Sequence, residues 1–175
     1  MTRVFALTTR GLEAVCADEM AALPGVTIKQ IAYRRVTATC GAPLSSLLDL
    51  RTVDDVFLDV TVWSGIVRQR SALDRLGELG AQLDLYQAAA YCAEVRQIPR
   101  SPAFSITANF VGKRNYSAVE IKQACAESIA AAHGWAYAPD DAEADLNVRV
   151  FIEHDRAFVG VRLGERPLHR RPLRR

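Results

Sequence analysis

The residue types in this chain that could bind a charged ligand are concentrated at its C-terminal end. Residues 162–175 carry six arginines and a single acid, Glu165. This segment has a charge of +5, whereas the 16 bases and 19 acids of the other 161 residues give −3. Because guanidinium groups pair well with phosphate, a cationic segment on an otherwise slightly acidic chain indicates a polyanionic partner.

A second group of cations lies in the stretch GKRNYSAVEIK, which begins at Gly112. Ser117 and Glu120 have the spacing of a capping box, so a helix is predicted to begin there, directly after Lys113 and Arg114. The free N–H groups and the positive dipole of a helix N-terminus attract anions, and the two bases could share such an anion. The alternative, a solvated loop with incidental bases, stays open.

Motifs that carry catalysis are missing from the sequence. It contains no glycine-rich nucleotide-binding fingerprint, no P-loop lysine, no nucleophile elbow and no H-E-x-x-H pair. The Asn-Pro-Pro-aromatic and Asp-Pro-Pro-aromatic motifs of base-amino methyltransferases are also missing. The neighbouring acids Asp140 and Asp141 favour a solvated loop. We therefore expect no catalytic residue and no enzyme activity in this chain by itself.

The metal-binding residue types are spread too widely to predict a metal site. The three histidines, at 133, 154 and 169, have no thiol or acid at ligand spacing. The four cysteines, at 16, 40, 92 and 125, show no C-x-x-C spacing and lie in apolar contexts. They are predicted to be buried free thiols in a reducing compartment.

The elements that must position these residues follow two successive patterns. The first predicts a ferredoxin-like βαββαβ domain over residues 1–66, because strand and helix periods alternate in that order. Its predicted strands are Val4–Thr8, Val26–Ala32, Val36–Cys40 and Asp55–Trp63, with helices near residues 12–23 and 44–51.

The second pattern predicts an α/β domain over residues 67–175, so the fold class is α+β. A helical region over 71–96, broken near Gly77–Gly80, is followed by an alternating strand at 104–110, the capped helix and a strand hairpin. Pro167–Arg171 either extends as a last strand or leaves the domain. On a strand, Arg170 and Arg171 point to opposite faces, and Arg149 takes a polar position of the preceding hairpin.

No apolar run reaches the ~18 residues of a membrane span. The apolar part of the N-terminus, MTRVFALTTRGLEA, is also too short for a signal peptide. We therefore expect a cytoplasmic protein without a membrane partner.

Three segments resemble a known family in the same order. The first, VFALTTRGLEAVCADEM, resembles the opening of THUMP-containing RNA methyltransferases. The stretch FSITANFVGKRNYSAVEIKQACAESIA resembles the THUMP strand, loop and helix, and ADLNVRVFIEHDRAFVGVRLGERPLHRRPLR resembles the THUMP hairpin and its exit. The family pattern at the exit is Arg-Arg-Gly-Tyr-Arg, from which this chain departs at Pro172 and Leu173.

The resemblance implies a ferredoxin-like domain and a THUMP domain that together hold RNA, usually at a tRNA acceptor end. It also implies a catalytic domain after residue 175, a Rossmann-like methyltransferase that uses S-adenosylmethionine and modifies guanine N2 in tRNA or ribosomal RNA. This chain itself is expected to bind no cofactor. A thiouridylase host remains an alternative, as does a regulatory ferredoxin-like domain that binds a small molecule.

The RNA-binding residues predicted from the sequence are Lys113, Arg114, Arg149, Arg170 and Arg171. Replacing Lys113 and Arg114 together by alanine is expected to weaken RNA binding with little loss of stability, because the loop is predicted to be exposed. RNA affinity and the thermal midpoint of the same variant test this. A large fall in midpoint at unchanged affinity would contradict it.

Overall fold

The computed structural model describes residues 1–170, which fall into two compact units. Unit 1 combines Met1–Asp59, Ala88–Gln97 and the described chain from Arg162 onward. Unit 2 combines Val60–Gln87 and Ile98–Val161. The domain boundary between residues 66 and 67 stays a prediction, while the predicted α+β fold class is confirmed.

Unit 1 has the predicted ferredoxin-like strand arrangement. Its strands lie in the order β2-β3-β1-β4, and each neighbouring pair is antiparallel. The elements, in chain order, are β1 (Thr2–Leu7), α1 (Glu13–Ala21), β2 (Val26–Ala32), β3 (Arg35–Cys40), a 3-10 helix (Leu44–Asp49) and β4 (Asp55–Trp63).

The second predicted helix of this pattern is a 3-10 helix instead of an α-helix. Leu44, Leu47 and Leu50 are all buried, and their spacing of three matches the three residues per turn of a 3-10 helix. Pro43 precedes the helix, and its carbonyl accepts a hydrogen bond from the Ser46 hydroxyl at 2.9 Å. This local bond competes with the α-helical pattern.

The chain leading into β4 is fixed to α1 by one carboxylate. Glu19 accepts hydrogen bonds from the backbone N–H groups of Arg51 and Thr52, and from the Thr52 hydroxyl at 2.7 Å. Partial burial opposes ionisation, but these hydrogen bonds leave the pKa of Glu19 below its usual value. The Glu19 carboxylate thus accepts the backbone N–H groups of a loop that has no neighbouring strand to bond them.

A buried ion pair in unit 1 joins Arg162, where the C-terminal segment of this unit begins, to Asp55 at the start of β4. Arg162 Nε lies 2.7 Å from Asp55 Oδ2, and the two side chains are only 8% and 5% exposed. Burial raises the pKa of Asp55, although Arg162 and the Val56 N–H oppose this by stabilising the carboxylate. The pair therefore depends on both partners, since either charge alone would be buried without compensation.

Backbone hydrogen bonds continue this attachment along β4. The Leu163 N–H donates to the Val56 carbonyl, and the His169 N–H donates to the Asp54 carbonyl, both at 3.0 Å. Residues Leu168–Arg170 then form a 3-10 helix, with Leu168 buried. The strand considered for Pro167–Arg171 is therefore not formed over its described part, because the buried Leu168 and the His169 bond turn the chain back onto unit 1.

Unit 2 places helices beside a three-stranded mixed sheet. Its strands lie in the order β7-β6-β5, with β5 and β6 parallel and β6 and β7 antiparallel. The elements of the second half of the chain are α2 (Ser71–Gln82), α3 (Tyr86–Ala93), β5 (Phe104–Phe110), α4 (Ala118–His133), β6 (Leu146–Glu153) and β7 (Arg156–Arg162).

The break between α2 and α3 lies at residues 83–85, later than the predicted break at Gly77–Gly80. Both glycines are inside α2, on the side that packs against α4. A Cβ at Gly80 would lie 2.3 Å from the Ser128 Oγ, so any larger residue there would force this hydroxyl of α4 to move. The break itself is held by His133, whose Nε2 accepts the Leu85 N–H at 3.1 Å.

The cysteines are buried and free, as predicted. Burial raises the pKa of Cys16 to about 11 and that of Cys125 to about 12. None of the helices within residues 1–170 has both the length and the apolar character needed to cross a membrane.

The buried ion pair gives a prediction for unit 1. Asp55→Asn and Arg162→Met are each expected to destabilise the chain by about 3–5 kcal/mol, because each leaves the other polar group buried without its partner. The double variant is expected to lose clearly less free energy of unfolding than the two single variants lose together. Denaturant unfolding of the unmodified chain, the two single variants and the double variant measures this. Additive losses would show that the two charges do not depend on each other.

Candidate functional site

The predicted anion-binding loop connects β5 to α4 at residues 111–116. It leaves the sheet through Gly112, whose φ of +87° lies in the left-handed region that favours glycine. It ends at the predicted capping box, which is present: the Glu120 N–H donates to Ser117 Oγ, and the Ser117 N–H donates to Glu120 Oε1, both at 3.2 Å. Both ends of the loop are therefore fixed.

Arg114 points into the protein instead of into solvent. Its Nη1 donates to the Tyr116 hydroxyl at 3.0 Å and to the Ile66 carbonyl at 3.4 Å, and its Nη2 donates to the His154 carbonyl. The side chain is half-buried, and its guanidinium carbon lies 6.0 Å from the centre of the Phe110 ring. Arg114 thus joins its own loop to residues 64–70, the connector between β4 and α2, and to the β6–β7 turn.

Further hydrogen bonds hold the same three segments together. The Tyr116 hydroxyl donates to the Val67 carbonyl at 2.8 Å, and the Asn115 N–H donates to the Arg68 carbonyl at 2.8 Å. The Ile66 N–H donates to the Asp155 carbonyl at 2.8 Å. The surface formed by the connector, the loop and the turn, which we call the braced loop surface, is therefore rigidly defined.

Lys113 has the opposite orientation to Arg114. It is exposed, and no carboxylate within residues 1–170 lies at ion-pair distance from it. Its ammonium group is therefore available to a ligand. The loop expected to be exposed as a whole is thus divided between an inward arginine and an outward lysine.

The N-terminus of α4 is occupied by the protein's own side chains. Glu120 completes the capping box and also forms an ion pair with Arg70, whose side chain is 62% exposed. The hydrogen bond from Arg70 and the one from the Ser117 backbone lower the pKa of Glu120. The Glu120 carboxylate therefore occupies the position at the helix N-terminus where a bound anion was expected. The positive charge that remains available lies outside the helix end.

Within unit 2, the candidate residue Arg149 lies away from this loop. Arg149 is half-buried in β6, paired in register with Thr107 of β5 and Gly160 of β7. It lies three residues before Ile152, the residue that receives the first N–H of the loop, or about 10 Å along the strand. Arg170 ends the last 3-10 helix, and Arg171 lies outside the described residues.

Sequence reasoning missed Arg68 as a candidate. Its guanidinium nitrogens lie 3.7 and 3.8 Å from the position that a Cβ would take on Gly112, so it covers the glycine next to Lys113. It is exposed, and it has no acidic partner among the described residues. The signal in the sequence was the basic VRQR segment at residues 67–70, but only the fold brings it beside the loop.

The contacts of Arg114 change the prediction made for this loop. Arg114→Ala is expected to destabilise the chain by about 2–3 kcal/mol and to lower the thermal midpoint by about 4–10 °C, because three hydrogen bonds are lost together. Lys113→Ala, the matched control in the same loop, is expected to stay within about 0.5 kcal/mol. Equal midpoints for the two variants would contradict the bracing role of Arg114.

Comparison with known proteins identifies the part of the chain that contains the 111–116 loop and the β6–β7 turn. Residues 83–162 match the family model of the THUMP domain. No curated protein matches the sequence significantly.

Solved structures share the fold over almost the whole chain. TrmN from Thermus thermophilus matches 98% of this chain with a TM-score of 0.73 and 23% identity, over 48% of its own length. The methyltransferase candidate SMU.472, complexed with SAH, matches 92% of the chain with a TM-score of 0.64 and 16% identity, over 41% of its length.

A 4-thiouridine synthetase in complex with RNA and bound ATP also matches 92% of the chain, with a TM-score of 0.59 and 10% identity, over 41% of its length. The chain spans about half of the length of TrmN and about two fifths of that of the other two structures. The family match identifies residues 83–162 as a THUMP domain, and the solved structures show that almost the whole chain shares their fold.

Proposed function

We propose that this chain is the RNA-binding part of an RNA methyltransferase that uses S-adenosylmethionine and whose catalytic domain follows residue 175. The observation that carries the proposal is the THUMP match over residues 83–162, because a THUMP domain implies RNA binding. This match includes the 111–116 loop, which presents an exposed lysine on a rigid support.

The methyltransferase part of the proposal is supported by the structural relatives. SAH, the product that remains when S-adenosylmethionine has given up its methyl group, is bound in one relative of this fold. That relative is more than twice as long as the segment shared with this chain. We assign cofactor binding to the proposed catalytic domain, since no recognised cofactor motif occurs in this sequence.

The recognition mode that fits the surface is contact with the RNA backbone and shape. Among the aromatic residues that the structure describes, only Tyr33 and Tyr86 are largely exposed, in different units, and Tyr116 and Trp135 are buried. Stacking of successive bases needs several exposed rings, whereas phosphate contacts need exposed cations. A folded RNA such as the acceptor end of a tRNA suits this mode better than a single strand.

The proposed reaction of the whole protein is methyl transfer to the exocyclic N2 of a guanine in tRNA. A second candidate is sulfur transfer, because a 4-thiouridine synthetase bound to RNA has the same fold over 92% of the chain. Mass spectrometry of RNA treated with the longer protein separates the two. A methyl group on guanine requires added S-adenosylmethionine, whereas thiolation requires ATP and a sulfur donor.

Binding by the 175-residue chain gives the direct test. Fluorescence anisotropy is expected to show binding to labelled tRNA that weakens with salt, because phosphate contacts release counterions. An acceptor-stem helix is expected to compete better than an anticodon stem-loop of equal length. Absence of binding at 50 mM salt would overturn RNA binding, and equal competition by both RNAs would overturn the acceptor-end assignment.

A further inference from the structure

We propose that Arg68 and Lys113 form one binding site for an RNA phosphodiester on the braced loop surface. The inference rests on the proposed function and identifies where on unit 2 the backbone is held. Arg68 was not among the residues predicted from the sequence.

The proximity of the two cations comes from Gly112. The Arg68 guanidinium lies against this glycine, with its carbon 3.9 Å from the position of a Cβ. Lys113 is the next residue, so its Cα is 3.8 Å from that of Gly112 across a trans peptide bond. Both side chains are long enough to reach a single phosphate group, the arginine as a planar fork and the lysine as a point charge.

The support beneath the two cations is already ordered. The Arg68 carbonyl accepts the Asn115 N–H, so the backbone that carries Arg68 is bonded to the loop that carries Lys113. Arg114 and the Tyr116 hydroxyl donate hydrogen bonds to the carbonyls of Ile66 and Val67, the two residues before Arg68. An anion that binds here therefore orders only two side-chain ends, which lowers the entropic cost of binding.

Neighbouring cations differ from this pair in what they contact. Arg70 is also exposed but is paired with Glu120, and Arg114 uses its terminal nitrogens on backbone carbonyls and a hydroxyl. Arg156 lies over the Phe158 ring, with its guanidinium carbon 5.4 Å from the ring centre. By contrast, neither Arg68 nor Lys113 forms an ion pair with a side chain among residues 1–170, and the two cations are adjacent on this surface.

RNA is the partner that fits this site best. Val67 directly precedes Arg68, and Val111 lies two residues before Lys113. The two valines are 42% and 53% exposed, so apolar surface lies beside the two charges. A ribose next to a phosphodiester offers apolar C–H groups together with the anion, and a free phosphate ion does not. An acidic peptide is the competing ligand that the experiment must distinguish.

The experiment measures tRNA binding by the 175-residue chain and its Arg68→Ala, Lys113→Ala and double variants across 50–300 mM salt. Each single change is expected to weaken binding about tenfold, because it removes a charge-assisted contact to phosphate. The double change is expected to weaken it by clearly less than a hundredfold, because both residues hold one phosphate. The slope of log affinity against log salt should fall by roughly 0.7–0.9 in the double variant.

Arg75→Ala is the matched control. Arg75 is an exposed arginine on α2 of the same unit, and its helix lines an acidic groove with Asp74, Glu78 and Glu127. Its removal is expected to leave both affinity and slope unchanged. Arg68→Lys is expected to retain most of the affinity, and thermal midpoints of all variants confirm that they fold.

The outcomes separate this inference from the proposed function. If the unmodified chain does not bind tRNA, the proposed function fails and this site fails with it. If tRNA binds but the Arg68 and Lys113 variants bind as the unmodified chain does, RNA is held elsewhere and only this inference fails. Multiplicative losses would show independent contacts and overturn the shared site, and displacement of tRNA by equimolar polyglutamate would assign the site to an acidic partner.

Discussion

The candidate surface depends on the hydrogen bonds that the Arg114 guanidinium forms with the neighbouring segments. Its two terminal nitrogens bond to neutral acceptors, two backbone carbonyls and a hydroxyl, while its buried Nε has no hydrogen-bond partner among the described residues. None of these acceptors is a carboxylate that would cancel its charge. A carbonyl dipole falls off faster with distance than a full charge does. Arg114 therefore contributes to the positive potential at the surface even though its side chain is directed inward.

Local signals in the sequence were sufficient for part of this architecture. Ser117 and Glu120 predicted the start of α4 correctly because a capping box is complete within four residues. The ferredoxin-like order followed from alternating periods and short connections, since few topologies fit them. Buried cysteines followed from their apolar surroundings.

What could not be predicted depends on contacts between distant segments. The two carbonyl acceptors of Arg114 lie 48 and 40 residues away from it in sequence, and no local pattern reveals a partner at that distance. The same reason hid Arg68, which reaches the loop only because the connector is bonded to it. The 3-10 helix at Leu44–Asp49 was misjudged because leucines three apart fit one side of either helix type.

The high pKa values of the buried thiols have a practical consequence for studying this chain. At pH 7.5 a thiol with a pKa of about 11, such as Cys16, is ionised in roughly one molecule in three thousand, and Cys125 is ionised even less. Maleimide and similar reagents attack the thiolate. A single cysteine introduced at the exposed Asn115 would therefore react far faster than Cys16 or Cys125, and the loop could carry a fluorophore or crosslinker without removal of these native residues.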